Sequence, residues 1–218
     1  MPYDWRNWNG INYITPVRDQ AICGSCWAYS AIGAIEATYN VQETILHNID
    51  LSEQNLVSEC GCPGDCKGGF PHKAFNFIKN NGVVDEQCMP YQSQNSLYCQ
   101  PYVGCQCCNS YVVDYYNCTP SVCPYGNCSK PCSCDRCADL SNHLWNLNDY
   151  INVSKTRIQE IKHKLMCRGP LSVGSFNWGH AIVLVGYDDD NSICKNKYNQ
   201  NGCWIIKNSG AYSAAGIQ

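Results

Sequence analysis

The chain has 218 residues, 15 Lys and Arg against 18 Asp and Glu, and a formal net charge of -3. Its basic residues are spread along the sequence without a cluster of the kind that neutralises phosphates, which argues against nucleic acid as a partner. The longest uninterrupted apolar run, Ala181 to Val185, is far short of the roughly 20 residues a spanning helix needs, so no membrane insertion and a soluble protein with a sizeable core are expected.

No charged, then apolar, then small-residue leader opens the chain, and Met1-Pro2 reads as a mature end. From Cys26 to Tyr39 the residues Trp27, Ala31, Ala34, Ile35, Thr38 and Tyr39 recur at helical spacing, which predicts a helix with Cys26 in its first turn. Ser52, a good N-cap, predicts a second short helix through Ser58. A third is predicted over roughly His72 to Lys79, with Ala74, Phe75, Phe77 and Ile78 on its packed face and Asn80-Asn81-Gly82 as its stop.

The character changes between Cys88 and Cys137, where eleven cysteines stand among Pro, Tyr, Asn and Ser residues with no sustained period of 3.6 or 2. This segment reads as a disulfide-stapled insertion. The 19 cysteines of the chain point to an oxidising compartment. Setting one thiol aside as a nucleophile leaves eighteen, enough for nine disulfides. Sequons at Asn117, Asn127 and Asn152 fit a secretory route for a glycoprotein but carry little weight in so Asn-rich a chain. A helical stretch follows from about Lys155 to Met166. Beyond Gly169-Pro170 the pattern turns to strands at Leu171-Ser172-Val173, Ala181 to Gly186 and Cys203 to Lys207, with a polar loop from Asp188 to Gly202 that contains Cys194. Helices first and strands last suggest two lobes.

A thiol attacks a carbonyl only as thiolate, and with an ordinary pKa near 8.5 only about 3% of it is ionised at pH 7. A cysteine at a helix start gains from the positive end of the dipole, and a nearby imidazolium adds the larger share. Of the five histidines, His47, His72, His143, His163 and His180, only the last stands at the head of a strand motif.

The segment DQAICGSCWAYSAIGAIEA, with CGSCW at its centre, resembles the papain family of cysteine proteases at the entry to its central helix. The resemblance extends through DWRNWNGINYITPVRDQ before it, LSEQNLVSEC and CKGGFP after it, and GPLSV, GHAIVLVGYD and GCWIIKNSG near the end. It leaves roughly Cys99 to Asp149 unmatched. It implies an α+β, papain-like two-lobed fold, with a mainly helical left lobe (10–98), a cysteine-rich insertion (99–149) and a mainly antiparallel β right lobe (150–218) in one catalytic unit, and the cleft between the lobes.

At matching positions the resemblance implies Cys26 as nucleophile and His180 as its base. It implies Asn208 as the group that orients the His180 ring, and Gln20 as an oxyanion donor beside the backbone N–H of Cys26. His180 lies 154 residues after Cys26, close to the about 130 to 150 of the family, and Asn208 lies 182 after it, beyond that range because the loop from Asp188 to Gly202 lengthens the chain between the two. Gly68 and Gly69, by themselves a turn, would pair with substrate backbone. Phe70 and Pro71 would border an apolar pocket with Ala181 as its floor. Cys23 should pair with Cys66, and Cys60 or Cys62 with Cys99. The expected partners are protein or peptide substrates, and the expected location is secreted or lysosomal/vacuolar.

Cys132-Ser133-Cys134-Asp135-Arg136-Cys137 and Cys105-Gln106-Cys107-Cys108 have spacings that also suit zinc thiolates. The oxidising context favours disulfides, so no metal and no cofactor are expected. The insertion lacks the adjacent histidines with which cathepsin B grips a substrate's C-terminal carboxylate, and endopeptidase is the default. The chain also departs from the family: six residues separate Val173 from His180, Gly210 stands where a Trp normally shields the Asn–His contact, and the closing glycine-rich strand is missing before Gln218. These departures motivate a second reading, a catalytically silent papain-like module with a structural or binding role.

Overall fold

The computed structural model describes residues 2–57, 63–94, 137–153, 157–175, 177, 179–190 and 202–210. The core of the insertion, with Cys99 and the sequons at Asn117 and Asn127, lies outside them, as do Cys60, Cys62 and Cys194. The chain divides into two compact units, one of Met1–Gln20, Tyr29–Asp50 and Tyr150–Gln218, the other of Ala21–Ala28 and Leu51–Asp149.

In the first unit the sheet is built on β7 (His180–Asp188), whose residues from Ala181 on are all buried, as its near-continuous apolar run predicts. Strand β6 (Leu171–Ser175) pairs antiparallel with its first half, and β1 (Tyr3–Asp4) with Gly186 and Tyr187. Strand β8 (Cys203–Lys207) pairs antiparallel along Val183 to Asp188, with a register shift between Leu184 and Gly186. Helix α1 (Cys26–Glu43) crosses the unit boundary after Ala28. Its face of Ala31, Ala34 and Ala37 is fully or nearly fully buried. Small residues let it approach the sheet closely: Ser30 Oγ donates to the Ile182 carbonyl at 2.6 Å. Helix α3 (Ile158–Arg168) buries Leu165, whose carbonyl accepts from the Trp5 indole at 2.9 Å.

A buried polar chain crosses this core. Lys207 Nζ donates to Thr15 Oγ1 at 2.9 Å, and Thr15 donates on to Glu36 Oε2 at 2.6 Å. A buried cation and carboxylate are tolerated because a hydroxyl joins them.

In the second unit a two-stranded hairpin, β2 (Gly64–Asp65) and β3 (Gly68–Gly69), leads into α2 (Pro71–Asn81). Pro71 sits at the start of α2, where its missing N–H costs nothing. Gly82, at φ 71°, closes the helix by donating to Ile78 O at 2.8 Å. Strands β4 (Val83–Val84) and β5 (Leu144–Trp145) then pair antiparallel. Leu51, Leu56, Val57, Ala74, Ile78, Val83 and Val84 are among the buried apolar residues of this unit.

The segment from Ser52 is a turn and not the expected helix. Ser52 Oγ does cap, accepting from Asn55 N at 3.1 Å, and Leu56 and Val57 N–H groups donate to Glu53 O. Val57 then bridges to Gly64, and Asn55 Oδ1 accepts from Val84 N at 3.1 Å, so side chains and bridges draw the backbone out of the helix.

Cys23 is bonded to Cys66, and Cys88 to Cys137, the latter joining the two ends of the cysteine-rich insertion across a sequence separation of 49. Cys203 is also disulfide-bonded. Cys167, by contrast, is an exposed thiol on α3 with its sulfur 3.7 Å from His163 Nδ1. With Cys26 and Cys167 both outside disulfides, seventeen of the 19 cysteines remain, an odd number, so the nine-bridge scheme is corrected to at most eight within these 218 residues. The Cys137 sulfur, being in a disulfide, is no zinc thiolate.

Candidate active site

Cys26 is the first residue of α1, and the three residues before it are fixed by the Cys23–Cys66 disulfide. Gly24 N donates to Cys66 O at 2.8 Å, and a Cβ on Gly24 would stand 2.6 Å from that same oxygen. Only glycine fits there. Ser25 is fully buried, its hydroxyl 2.6 Å from Tyr91 OH and its carbonyl accepting from Ala28 N at 2.8 Å. The thiol of Cys26 is half-buried and outside any disulfide. It stands at the positive end of an 18-residue helix, an environment that favours thiolate.

Next along the helix, Trp27 is 1% exposed and donates from Nε1 to Asp65 O at 3.4 Å. Its indole lies against Gly69, where a Cβ would stand 2.5 Å from the ring. Trp27 thus holds the hairpin of Gly68 and Gly69 beside the start of α1. Gly68 has φ 141° and open space where a Cβ would be. Phe70 and Pro71 are half-buried, Phe70 preceding α2 with its ring near His72 and under Lys73 Nζ at 5.6 Å.

The other group of residues belongs to the first unit. His180 opens β7 and Asn208 follows β8 directly, so the β7–β8 pairing brings them together across 28 residues. His180 Nε2 and Asn208 Oδ1 are 2.7 Å apart. Asn208 Oδ1 also accepts from Ser209 N at 2.9 Å, which fixes that atom as the oxygen. An amide oxygen can only accept, so Nε2 of His180 carries the proton and Nδ1 is left on the opposite side of the ring.

Ser209 reaches Gln20 as well. Gln20 N donates to Ser209 O at 2.9 Å, and Ser209 Oγ donates to Gln20 Oε1 at 2.9 Å. The Gln20 amide is thereby oriented with its NH2 turned away from Ser209. Sequence reasoning missed Ser209, and the signal was its place in IIKNSG next to Asn208. A Cβ on Gly210 would lie 3.8 Å and 3.9 Å from the amide atoms of Asn208. Ala181, next to His180, is 4% exposed.

The two groups are therefore Gln20, His180, Ala181, Asn208 and Ser209 in one unit, and Cys26, Gly68, Gly69, Phe70 and Pro71 in the other. The first group holds an imidazole and an amide that are oriented by their hydrogen bonds, and the second a thiol at a helix start.

The sequence model of the papain family cysteine proteases matches residues 1–213. The thiol protease aleurain of Arabidopsis thaliana is 42% identical over 112 residues, 49% of this chain and 30% of that protein. A viral cathepsin of Epiphyas postvittana nucleopolyhedrovirus is 28% identical over 215 residues, 96% of this chain and 55% of that protein. The solved structure of digestive procathepsin L 3 of the Tenebrio molitor larval midgut superposes with a TM-score of 0.64 at 22% identity, over 99% of this chain and 62% of that one. The chain thus spans about a third to about half the length of these curated relatives.

Proposed function

The chain belongs to the papain family of cysteine proteases, and from that premise we propose that it is a cysteine endopeptidase working through a Cys26–His180 thiolate–imidazolium pair. The observation that carries the reading is the 2.7 Å contact between His180 Nε2 and Asn208 Oδ1. It assigns the Nε2–H tautomer and leaves Nδ1 to take the proton of Cys26.

In this mechanism the Cys26 thiolate attacks the carbonyl carbon of a peptide bond, and the developing oxyanion receives hydrogen bonds from Gln20 Nε2 and the backbone N–H of Cys26. His180 gives its proton to the departing amine, leaving an acyl-enzyme. It then takes a proton from water, whose oxygen attacks the thioester, releasing the acyl group as a carboxylic acid and restoring the thiolate–imidazolium pair. Gly68 and Gly69 pair with substrate backbone, and Phe70, Pro71 and Ala181 favour an apolar side chain next to the scissile residue. The protein acts in a secreted or lysosomal/vacuolar setting, where its disulfides persist.

Gly210 supports a second reading, a catalytically silent module. A glycine there brings no aromatic ring of its own to the amide that orients His180. Hydrolysis of a fluorogenic peptide with an apolar residue before the scissile one separates the two readings. Turnover that vanishes in Cys26→Ala fits the endopeptidase, and a folded native chain without turnover fits the silent module.

A further inference from the structure

The ends of the cysteine-rich insertion meet at a cluster that the proposed catalytic chemistry does not use. Asp85 directly follows β4, and His143 directly precedes β5. Asp85 N donates to His143 O at 3.2 Å, continuing the ladder. The Asp85 carboxylate turns back on its own chain, accepting from Cys88 N at 3.0 Å, so it holds the half of the Cys88–Cys137 disulfide that leaves β4. On the returning half, Cys137 N donates to Cys88 Sγ at 3.2 Å, and Asp139 accepts from Asn142 Nδ2 at 3.5 Å.

The His143 ring lies between the two carboxylates. Its Nδ1 is 2.9 Å and 2.7 Å from the Asp85 oxygens, and its Nε2 is 3.4 Å from Asp139 Oδ2. A neutral imidazole has one N–H and can serve one carboxylate, leaving a lone pair aimed at the other. Only the imidazolium satisfies both sides. Among the described residues, Asp85 and Asp139 are the charged groups that act on the ring, and the nearby Cys137 sulfur does not titrate.

We propose that His143 is a pH-sensitive latch that, as imidazolium, clamps the returning limb of the insertion (137–143) to the exit of β4, and that loses its hold on Asp139 when it gives up its proton. After release the limb is held by the Cys88–Cys137 bond, by β5 and by the packing of Leu140 on Val84, Cys88 and Met89, and loosening of the limb opens that disulfide to reductants. This device is independent of Cys26 and of the proposed proteolysis.

The charge balance sets its window. His143 is held above its ordinary 6.5, chiefly by the hydrogen bond to Asp85, with desolvation pulling the other way and the charges of Asp85 and Asp139 adding to the rise. A raised value in the folded state means that the latch contributes in full below pH 6.5 and loses its contribution as pH rises through the folded value. Asp139 is held below its ordinary 3.8, first by its own backbone N–H and then by Asn142, so at the acid end the contact persists until pH falls below 3.8. The latch is closed at lysosomal acidity and opens toward neutral and alkaline pH.

The test is the rate at which a water-soluble phosphine reduces Cys88–Cys137, read by mass spectrometry of trapped thiols and divided by the rate for Cys23–Cys66, which shares the unit and the reagent. We expect this ratio in the native chain to rise at least about fivefold between about pH 5 and about pH 8. His143→Gln should abolish the rise, and Asp139→Asn, at an exposed carboxylate, should move it to lower pH. A ratio that stays flat in the native chain, or an unchanged rise in the folded His143→Gln or Asp139→Asn protein, would overturn the latch.

Discussion

Ser209 holds Gln20 by two hydrogen bonds, one from backbone to backbone and one from its hydroxyl to Gln20 Oε1, each 2.9 Å long. The hydroxyl bond decides which end of the amide faces outward. Gln20→Ala should lower kcat/KM about 100-fold or more, the size expected for loss of one oxyanion donor, mostly through kcat. Ser209→Ala leaves the donor in place but lets it rotate, so a loss of about threefold to tenfold is expected, the worth of one ordinary hydrogen bond. Steady-state kinetics on one peptide checks both, and equal losses would mean that Ser209 does more than orient Gln20.

Asn208 fixes the ring of His180 from the Nε2 side. Asn208→Ala should reduce kcat/KM about tenfold to 100-fold, with the fold and the two described disulfides intact. Gly210 lies beside that amide, where a Cβ would meet the Asn208 amide atoms only at ordinary contact distance, 3.8 and 3.9 Å. Gly210→Trp is expected to raise turnover a few-fold by drying the contact, because a hydrogen bond strengthens as water is excluded. A drop in turnover in a folded Gly210→Trp protein would show that the open position is adapted to this chain.

Gly24 and Gly69 are required by close approach: a Cβ would meet Cys66 O at 2.6 Å and the Trp27 indole at 2.5 Å. Neither obstacle is the end of a flexible chain. Each Gly→Ala substitution should cost about 1 to 3 kcal/mol in urea unfolding, in the range of overpacked cores. Gly68→Ala meets no neighbour, but its φ of 141° adds backbone strain, so a cost of about 1 kcal/mol is expected.

Much of this was legible in the sequence because one pattern dominated locally. Strand β7, buried from Ala181 on, shows as a near-continuous apolar run, and α1 as small and apolar residues at helical spacing around a motif of high specificity. The Ser52 cap misled, because Asn55 and Val57 have partners outside the segment that local propensity cannot register. Beyond Cys23–Cys66, which the family resemblance implied, disulfide partners were hidden for a different reason. Cysteine counts do not specify connectivity, so neither the Cys88–Cys137 clasp nor the unbridged Cys167 could be read, and the parity argument failed on the latter. Ser209 and His143 are ordinary polar residues until the fold sets Gln20 beside one and two carboxylates beside the other.

Tyr3 gives a prediction at high pH. Its hydroxyl donates to Met166 O at 3.4 Å, and its pKa is pushed up to about 12, first by burial and then by the nearby Cys167 and Tyr187. A raised value means that the folded state resists ionisation, so stability present below pH 10 is lost as pH rises toward about 12. Alkaline unfolding followed by tryptophan fluorescence should begin in that interval, and Tyr3→Phe should move it upward. An unchanged midpoint in Tyr3→Phe would place the alkaline sensitivity elsewhere.

The central claim is that Cys26 is an activated nucleophile, and Cys167 offers an exposed thiol in the same chain for comparison. The most direct measurement is to treat the folded protein with an epoxide-bearing peptide and locate the adduct by mass spectrometry while following turnover. The account predicts one adduct per chain, on Cys26, with turnover lost in proportion and no adduct on Cys26 in His180→Ala. A folded, active chain that is left unmodified at Cys26, or that is labelled at Cys167 instead, would contradict it.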